Sequence, residues 1–187
     1  ILWINLIMDT LAAMAFGGEP ILNRYMKDKP ALRTDNILTG YIKSAIGTSS
    51  IFITLGSILI LENIGGITDF VTPAGCANPE LYVMPASCTD PLLYEKTFMF
   101  AFFIYSIILN SLNTRSERFN LFEHIGENKN FVLVMGAIFI MQTVIIQIGG
   151  EVFGTTILSV KALFVSMLLA LLIIPVDLIR KAIVSRK

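Results

Sequence analysis

The stretch ILWINLIMDTLAAMAFGGEP, residues 1–20, decides how the rest of this chain is interpreted. It is an apolar run of the kind that crosses membranes, yet it contains Asn5 and Asp9. A carboxylate at membrane depth is costly, so it usually faces a partner, a cavity or an ion path. Because the two residues are four positions apart, a helix places both on one face, with Trp3 and Thr10 to the sides. Two oxygen-bearing side chains on one face suit a hard cation, which prefers oxygen ligands.

The segment LWINLIMDTLAAMA, residues 2–15, resembles the sixth transmembrane helix of the P-type calcium ATPases, and most of all the plasma-membrane calcium pump class. In that family the pattern Leu-Trp-Val/Ile-Asn-Leu-x-x-Asp supplies ion ligands from its Asn and its Asp. The resemblance therefore implies that Asn5 and Asp9 are metal ligands for calcium. The residue before the Asp is Thr in the sarco/endoplasmic reticulum pumps and Met in the plasma-membrane class, and this chain has Met8.

The composition predicts a membrane protein. The chain has 187 residues, of which 55% are hydrophobic, and its mean hydropathy is +0.73, which is too apolar for a soluble domain of this length. Membrane lipid is therefore an expected partner of the apolar helices. The net charge is zero, from 14 Lys and Arg and 14 Asp and Glu, so nothing indicates a nucleic-acid partner. The first residue is Ile and lies inside an apolar run, so we expect a fragment of a longer protein.

Five apolar spans predict an all-α membrane protein, a bundle of five transmembrane helices forming one domain over residues 1–187. The resemblance implies that this is the C-terminal transmembrane domain of a cation-transporting P-type ATPase. Five such runs separated by charged loops favour this fold over buried helices of a soluble protein. The third span is short for a bilayer crossing, so it must extend beyond its apolar core or lie in thin bilayer. The predicted spans are about 1–17, 44–61, 97–112, 131–148 and 162–179.

The placement of Lys and Arg predicts the topology. Positive charge is concentrated in segments 19–43 and 113–130 and at the C-terminal end, whereas segments 62–96 and 149–161 contain little. Positively charged loops remain in the cytoplasm, so the chain is expected to enter from the non-cytoplasmic side and to end in the cytoplasm. Five crossings in this direction match helices six to ten of the calcium-pump family.

The long loop between the second and third spans is expected on the non-cytoplasmic side, and it contains the only two cysteines, Cys76 and Cys88. Disulfides persist in such compartments, so we expect these two residues to be bonded. A zinc site is disfavoured because the loop has no His. A comparably spaced pair occurs in the reticulum pumps, whereas the plasma-membrane class usually has a short loop here.

The third span is free of acidic residues between Thr97 and Asn113. The reticulum pumps carry a Glu in this helix that contributes to a second calcium site, and Ile107 occupies that position here. The resemblance therefore implies that the second site is missing, as in the plasma-membrane class. Asn110 and Asn113 are interpreted as hydrogen-bonding residues near a helix end rather than as ligands.

Polar residues in the last two spans are expected to serve packing. Gln142 and Gln147 are predicted to hydrogen-bond between helices. Asp177 precedes Arg180 by three residues and Lys181 by four, which predicts a local ion pair at the cytoplasmic edge.

The chain has no Gly-rich phosphate loop and no Asp-Lys-Thr-Gly phosphorylation sequence, so it cannot hydrolyse ATP by itself. The resemblance implies the membrane portion of a P-type calcium-transporting ATPase, with calcium as the transported ion. ATP and magnesium would act in the upstream domains of the pump. Those upstream domains would be the main partner of this chain. Calmodulin would bind through a tail that this chain does not contain. The function expected is calcium transport out of the cytoplasm by alternating access, with further ligands from the pump's fourth helix.

Two alternatives remain open from the sequence. The first keeps the fold and changes the ion to sodium, potassium or protons, although sodium/potassium pumps carry extra acids in the sixth helix, where only Asp9 is present here. The second is a five-helix membrane scaffold or channel-like subunit that does not pump. The sequence also leaves open whether the host is the plasma membrane or a vacuolar or other endomembrane.

Overall fold

The described part of the chain is helical wherever its structure is regular. The computed structural model describes residues 2–18, 38–73, 90–116, 119–121, 126 and 128–184, and of residues 2–9 it describes the backbone only. Its helices are α1 (Leu2–Gly17), α2 (Gly40–Leu61), α3 (Ile67–Val71), α4 (Pro91–Arg115), α5 (Lys129–Ile148), α6 (Gly150–Phe153), α7 (Val160–Leu171) and α8 (Ile173–Val184).

Four helices of the described residues are long and apolar enough to cross a membrane. They are Gly40–Leu61, Pro91–Arg115, Lys129–Ile148 and the combined Val160–Val184. The all-helical membrane class is therefore confirmed. Helix α1 has 16 residues, fewer than the roughly 20 of a typical crossing, so the fifth membrane helix stays a prediction. The same holds for the long loop, and the predicted Cys76–Cys88 disulfide lies outside the described residues.

Helix α4 forms the centre of the bundle and contacts α2, α5, α7 and α8. It runs for 25 residues, so the short third span does extend beyond its apolar core. The extra turns begin at Asp90, whose carboxylate accepts a hydrogen bond from the Leu92 backbone N–H at 2.9 Å, and Pro91 occupies the first helical turn. Both residues are favoured at helix starts, which explains why the helix begins in a polar stretch.

The last predicted span consists of two helical segments rather than one. Helix α7 ends at Leu171 and α8 begins at Ile173. Pro175 has no backbone N–H to donate to the carbonyl four residues earlier, and its ring crowds that carbonyl. The hydrogen-bond ladder is consequently interrupted around Leu172, whose N–H bonds to the Leu169 carbonyl at 3.2 Å.

The helices alternate in direction, so that the ends with predicted positive flanks meet at one end of the bundle. There the Arg115 guanidinium at the end of α4 lies 5.3 Å from the centre of the Phe131 ring at the start of α5. At the opposite end, the Tyr94 hydroxyl near the start of α4 donates to Ser159 Oγ at 3.1 Å, just before α7. The alternation agrees with the order of crossings expected from the sequence.

A close contact between α2 and α4 requires glycine at position 56. A Cβ atom placed on Gly56 would lie 2.5 Å from Cζ of Phe102. Phe102 is 2% exposed, and its ring packs against Phe52 with 6.1 Å between centroids. Because the ring is enclosed on its other sides, it cannot simply move away.

Replacing Gly56 with Ala is expected to destabilise the bundle, because overpacking a closed site typically costs about 1–3 kcal/mol. The thermal unfolding midpoint of the detergent-solubilised protein measures the effect. Gly47→Ala on the same helix is the matched control, since a Cβ there meets no atom within 4 Å. Equal midpoints for the two variants would contradict the close contact.

Candidate cation-binding helix

Asn5 and Asp9 lie in one continuous helix, α1, which spans Leu2–Gly17. Four residues of helix correspond to about one turn and a rise of about 6 Å along the axis. The backbone therefore has the regular spacing on which the ligand prediction depends. The side chains of both residues lie outside the described part of the structure, so their role as calcium ligands stays a prediction.

Helix α1 packs mainly against α5. Leu11 contacts an apolar cluster formed by Ile104, Ile108 and Ile138. The Phe16 and Phe131 rings lie 5.5 Å apart between centroids, at an interplanar angle of 59°. Such tilted aromatic pairs stabilise contacts beyond the area they bury. The end of the candidate ligand helix is thus fixed in the bundle by apolar contacts on one side.

A polar contact at the same place joins α1 to α5. Asn128 is 2% exposed, and its Nδ2 donates to the Ala15 carbonyl of α1 at 3.3 Å. Its Oδ1 accepts from the backbone N–H of Phe131 at 2.9 Å, which caps the start of α5. Sequence reasoning missed this residue. The available signal was an Asn three positions before the apolar run that begins at Phe131, the spacing at which an N-cap side chain reaches a backbone N–H of the first turn.

Ile107, the position at which the reticulum pumps carry a Glu, is partly buried and packs against the same apolar cluster as Leu11. That cluster consists of Ile104 and Ile108 of α4 and Ile138 of α5. Within the described ranges, no group of three or more His, Cys, Asp and Glu residues could hold a metal ion. The absence of the second site implied by the resemblance stays a prediction.

The predicted ion pair of Asp177 is confirmed, and it is buried. Asp177 Oδ1 lies 2.6 Å from Arg180 Nε, and its Oδ2 lies 3.1 Å from Lys181 Nζ. The three residues are 3%, 6% and 2% exposed. The sequence spacing therefore predicts the local pairing, but the burial results from the helices packed around it.

The two cations of this cluster tie α8 to its neighbours. Arg180 donates from Nη1 to Ser44 Oγ at 3.1 Å and from Nη2 to the Tyr41 hydroxyl at 3.3 Å, both at the start of α2. Lys181 Nζ donates to the backbone carbonyls of Asn113 and Ser116 at 2.9 and 2.6 Å. Carbonyls at a helix end have no partner within the helix, so Lys181 caps the end of α4.

Asn110 and Asn113 act as hydrogen-bonding residues, as expected. Asn113 Nδ2 donates to the Ile173 carbonyl of α8 at 3.2 Å. Asn110 Oδ1 accepts from Ser49 Oγ of α2 at 3.0 Å. Asn113 thus joins α4 to α8, and Asn110 joins α4 to α2. The charged cluster of Asp177, Arg180 and Lys181 connects the same three helices.

The two glutamines of α5 differ in their surroundings. The Gln147 amide makes a double hydrogen bond with the backbone of Leu158, accepting its N–H at 2.8 Å and donating to its carbonyl at 3.0 Å. Leu158 precedes α7, so the contact joins α5 to the segment before that helix rather than to a helix itself. Gln142 is 1% exposed, and its Oε1 has no hydrogen-bond partner among the described residues.

Four long apolar helices joined by buried polar contacts define a multi-pass membrane protein. The chain belongs to the family whose model is described as "Cation transporting ATPase, C-terminus", which matches residues 1–183. It therefore corresponds to the C-terminal membrane region of P-type ATPases.

Relatives across three organisms carry calcium-transport names. The chain is 26% identical over 184 residues to the plasma membrane-type calcium-transporting ATPase 9 of Arabidopsis thaliana, covering 98% of this chain and 16% of that protein. It is 29% identical over 171 residues to the plasma membrane-type ATPase 1 of Oryza sativa, covering 90% and 15%. Calcium-transporting ATPase 2 of Schizosaccharomyces pombe is 27% identical over 177 residues, covering 94% and 12%. The chain thus spans about one sixth or less of the length of these relatives.

Proposed function

We propose that this chain is the membrane portion of an ATP-driven calcium pump and that Asn5 and Asp9 bind the transported ion. The observation that carries the proposal is an Asn and an Asp one turn apart in helix α1, in a chain whose relatives are named calcium-transporting ATPases. Oxygen ligands at this spacing suit calcium. The names of the plant relatives favour the plasma membrane as the host, with a vacuolar or other endomembrane as the alternative.

Calcium typically takes about six to eight oxygen ligands, so Asn5 and Asp9 supply only part of its coordination. The remaining ligands come from parts of the pump outside this chain, and ATP and magnesium act there as well. In an alternating-access cycle, helix movements change the affinity and the sidedness of the ion site. Asp9 is charged when calcium is bound and takes up a proton on release. Calmodulin would act on a tail beyond the described helices.

The decisive experiment measures which cation stimulates ATP hydrolysis by the intact gene product in membranes. Calcium, buffered over a range of concentrations, is expected to stimulate both hydrolysis and formation of the phosphorylated intermediate. Stimulation by sodium, potassium or a change of pH, with calcium chelated, would instead identify a pump for another cation. A product that neither hydrolyses ATP nor becomes phosphorylated would support the scaffold or channel-like alternative.

A further inference from the structure

The start of α5 and the end of α1 share one side chain, Asn128. We propose that Asn128 is a positioning residue that sets the calcium affinity of α1 by holding the end of that helix against α5. The inference rests on the proposed function, because it assigns to this residue the placement of the helix that carries Asn5 and Asp9.

The contact supplies a hydrogen bond that the end of α1 needs. The last carbonyls of a helix have no partner within the helix, and a buried polar group without a partner costs free energy. The Ala15 carbonyl accepts from Asn128 Nδ2 at a place where Ala15 is 0% exposed and Asn128 is 2% exposed. The enclosed position leaves little access for water to replace the amide, so breaking this bond removes a buried hydrogen bond from the end of α1.

The atoms around the contact between Asn128 and α1 are closely packed. A Cβ atom on Gly18, directly after α1, would lie 3.3 Å from Asn128 Oδ1. The Phe16 and Phe131 rings, which pack against each other, belong to residues next in sequence to Ala15 and in the first turn of α5. The close approach of backbone and amide means that a change at Asn128 displaces the end of α1 rather than being absorbed locally.

Such a displacement would reach the candidate ligands. Ala15 is six residues beyond Asp9 in the same helix, which is about 9 Å along the axis. A helix transmits a shift over less than two turns with little bending, since its backbone hydrogen bonds fix each residue to its neighbours. Metal affinity is sensitive to residues that orient the ligands without touching the ion.

The two functions of the amide can be separated by substitution. Asn128→Asp keeps an oxygen that caps α5, because Asp is as good an N-cap as Asn, but it removes the N–H that donates to Ala15. Asn128→Ala removes both. The control is the reverse exchange at the start of α4, Asp90→Asn, which keeps the cap to Leu92 at an exposed residue on the opposite end of the bundle.

The measurement is calcium-dependent phosphorylation of the intact pump, recorded as the half-maximal calcium concentration and the maximal level. Asn128→Asp is expected to raise the half-maximal concentration about three- to tenfold, as for the loss of one hydrogen bond, with the maximal level unchanged. Its thermal midpoint is expected to fall, because a buried hydrogen bond is lost, but by less than in Asn128→Ala, which also loses the cap on α5. Asp90→Asn is expected to leave all three values as in the parent. A parental calcium dependence in Asn128→Asp, or equal losses of midpoint and maximal level in the Asp and Ala variants, would overturn the proposal.

Hydrogen exchange separates failure of this inference from failure of the proposed function. In Asn128→Asp, amides in the last turn of α1 are expected to exchange faster than in the parent, whereas amides at the start of α5 stay protected. A parent that is not stimulated by calcium would refute the proposed function, and unchanged exchange in α1 would then refute the positioning role as well.

Discussion

Asp9→Asn in the intact pump is expected to abolish calcium-dependent phosphorylation by ATP at ordinary calcium concentrations. The substitution keeps the size of the side chain and removes its charge. Two unit charges about 4 Å apart attract by about 4 kcal/mol at an effective dielectric constant of 20. A loss of that size corresponds to roughly a thousandfold weaker binding, because each 1.4 kcal/mol is a factor of ten. Phosphorylation measured across a calcium series checks this expectation.

The matched control is Asp69→Asn, which makes the same chemical change at an exposed residue of α3. It is expected to phosphorylate as the parent does. Asn5→Leu removes a neutral oxygen from the same helix and should shift the calcium dependence less than Asp9→Asn. Normal phosphorylation in Asp9→Asn would refute the assignment of the ligand, while the membership of the family would stand.

Asp177→Asn is expected to produce the largest loss of stability among single substitutions in the described helices. It leaves the buried cations Arg180 and Lys181, which are 6% and 2% exposed, without their carboxylate. Removing one partner of a buried ion pair typically costs about 3–5 kcal/mol, because an uncompensated charge stays in a low-dielectric environment. The thermal midpoint in detergent and the yield of monodisperse protein both report the loss.

Replacing all three charged residues of the cluster tests whether the uncompensated buried charge causes the loss of stability. The triple variant Asp177→Leu, Arg180→Met and Lys181→Met leaves no buried charge, and such exchanges are often neutral in stability. It is therefore expected to unfold at a higher temperature than Asp177→Asn, although it loses the bonds to α2 and the cap on α4. A midpoint for Asp177→Asn equal to that of the exposed Asp69→Asn would show that the buried cluster contributes no stability.

The positions of the long apolar helices could be predicted from the sequence, because a run of apolar residues needs no partner to define it. Their ends were less predictable. The apolar pattern predicts the third span at 97–112, whereas α4 covers Pro91–Arg115, because the helix-start residues Asp90 and Pro91 extend the helix beyond its apolar core. The apolar pattern predicts one helix for the last span, whereas the structure has two segments that meet at Leu172, because Pro175 interrupts the hydrogen-bond ladder.

For the candidate site, the sequence provided Asn5, Asp9 and their spacing but could not show what holds α1 in place. Asn128 lies 113 positions from Ala15, and no pattern within one segment predicts a contact over that distance. The ion pair of Asp177 was predictable because its partners are three and four residues away on the same helix.

Composition and spacing within single helices were enough to predict the membrane class, four of the apolar spans and the local ion pair of Asp177, whereas the candidate ligand pair in α1 stays a prediction. Which side chains are buried between helices depends instead on how the helices pack against one another. The Arg180 contacts with α2, the capping of α4 by Lys181 and the bridge at Asn128 depend on the order in which helices pack. Packing brings together residues that are distant in sequence, and the residue pattern within one helix does not identify its contacts on other helices.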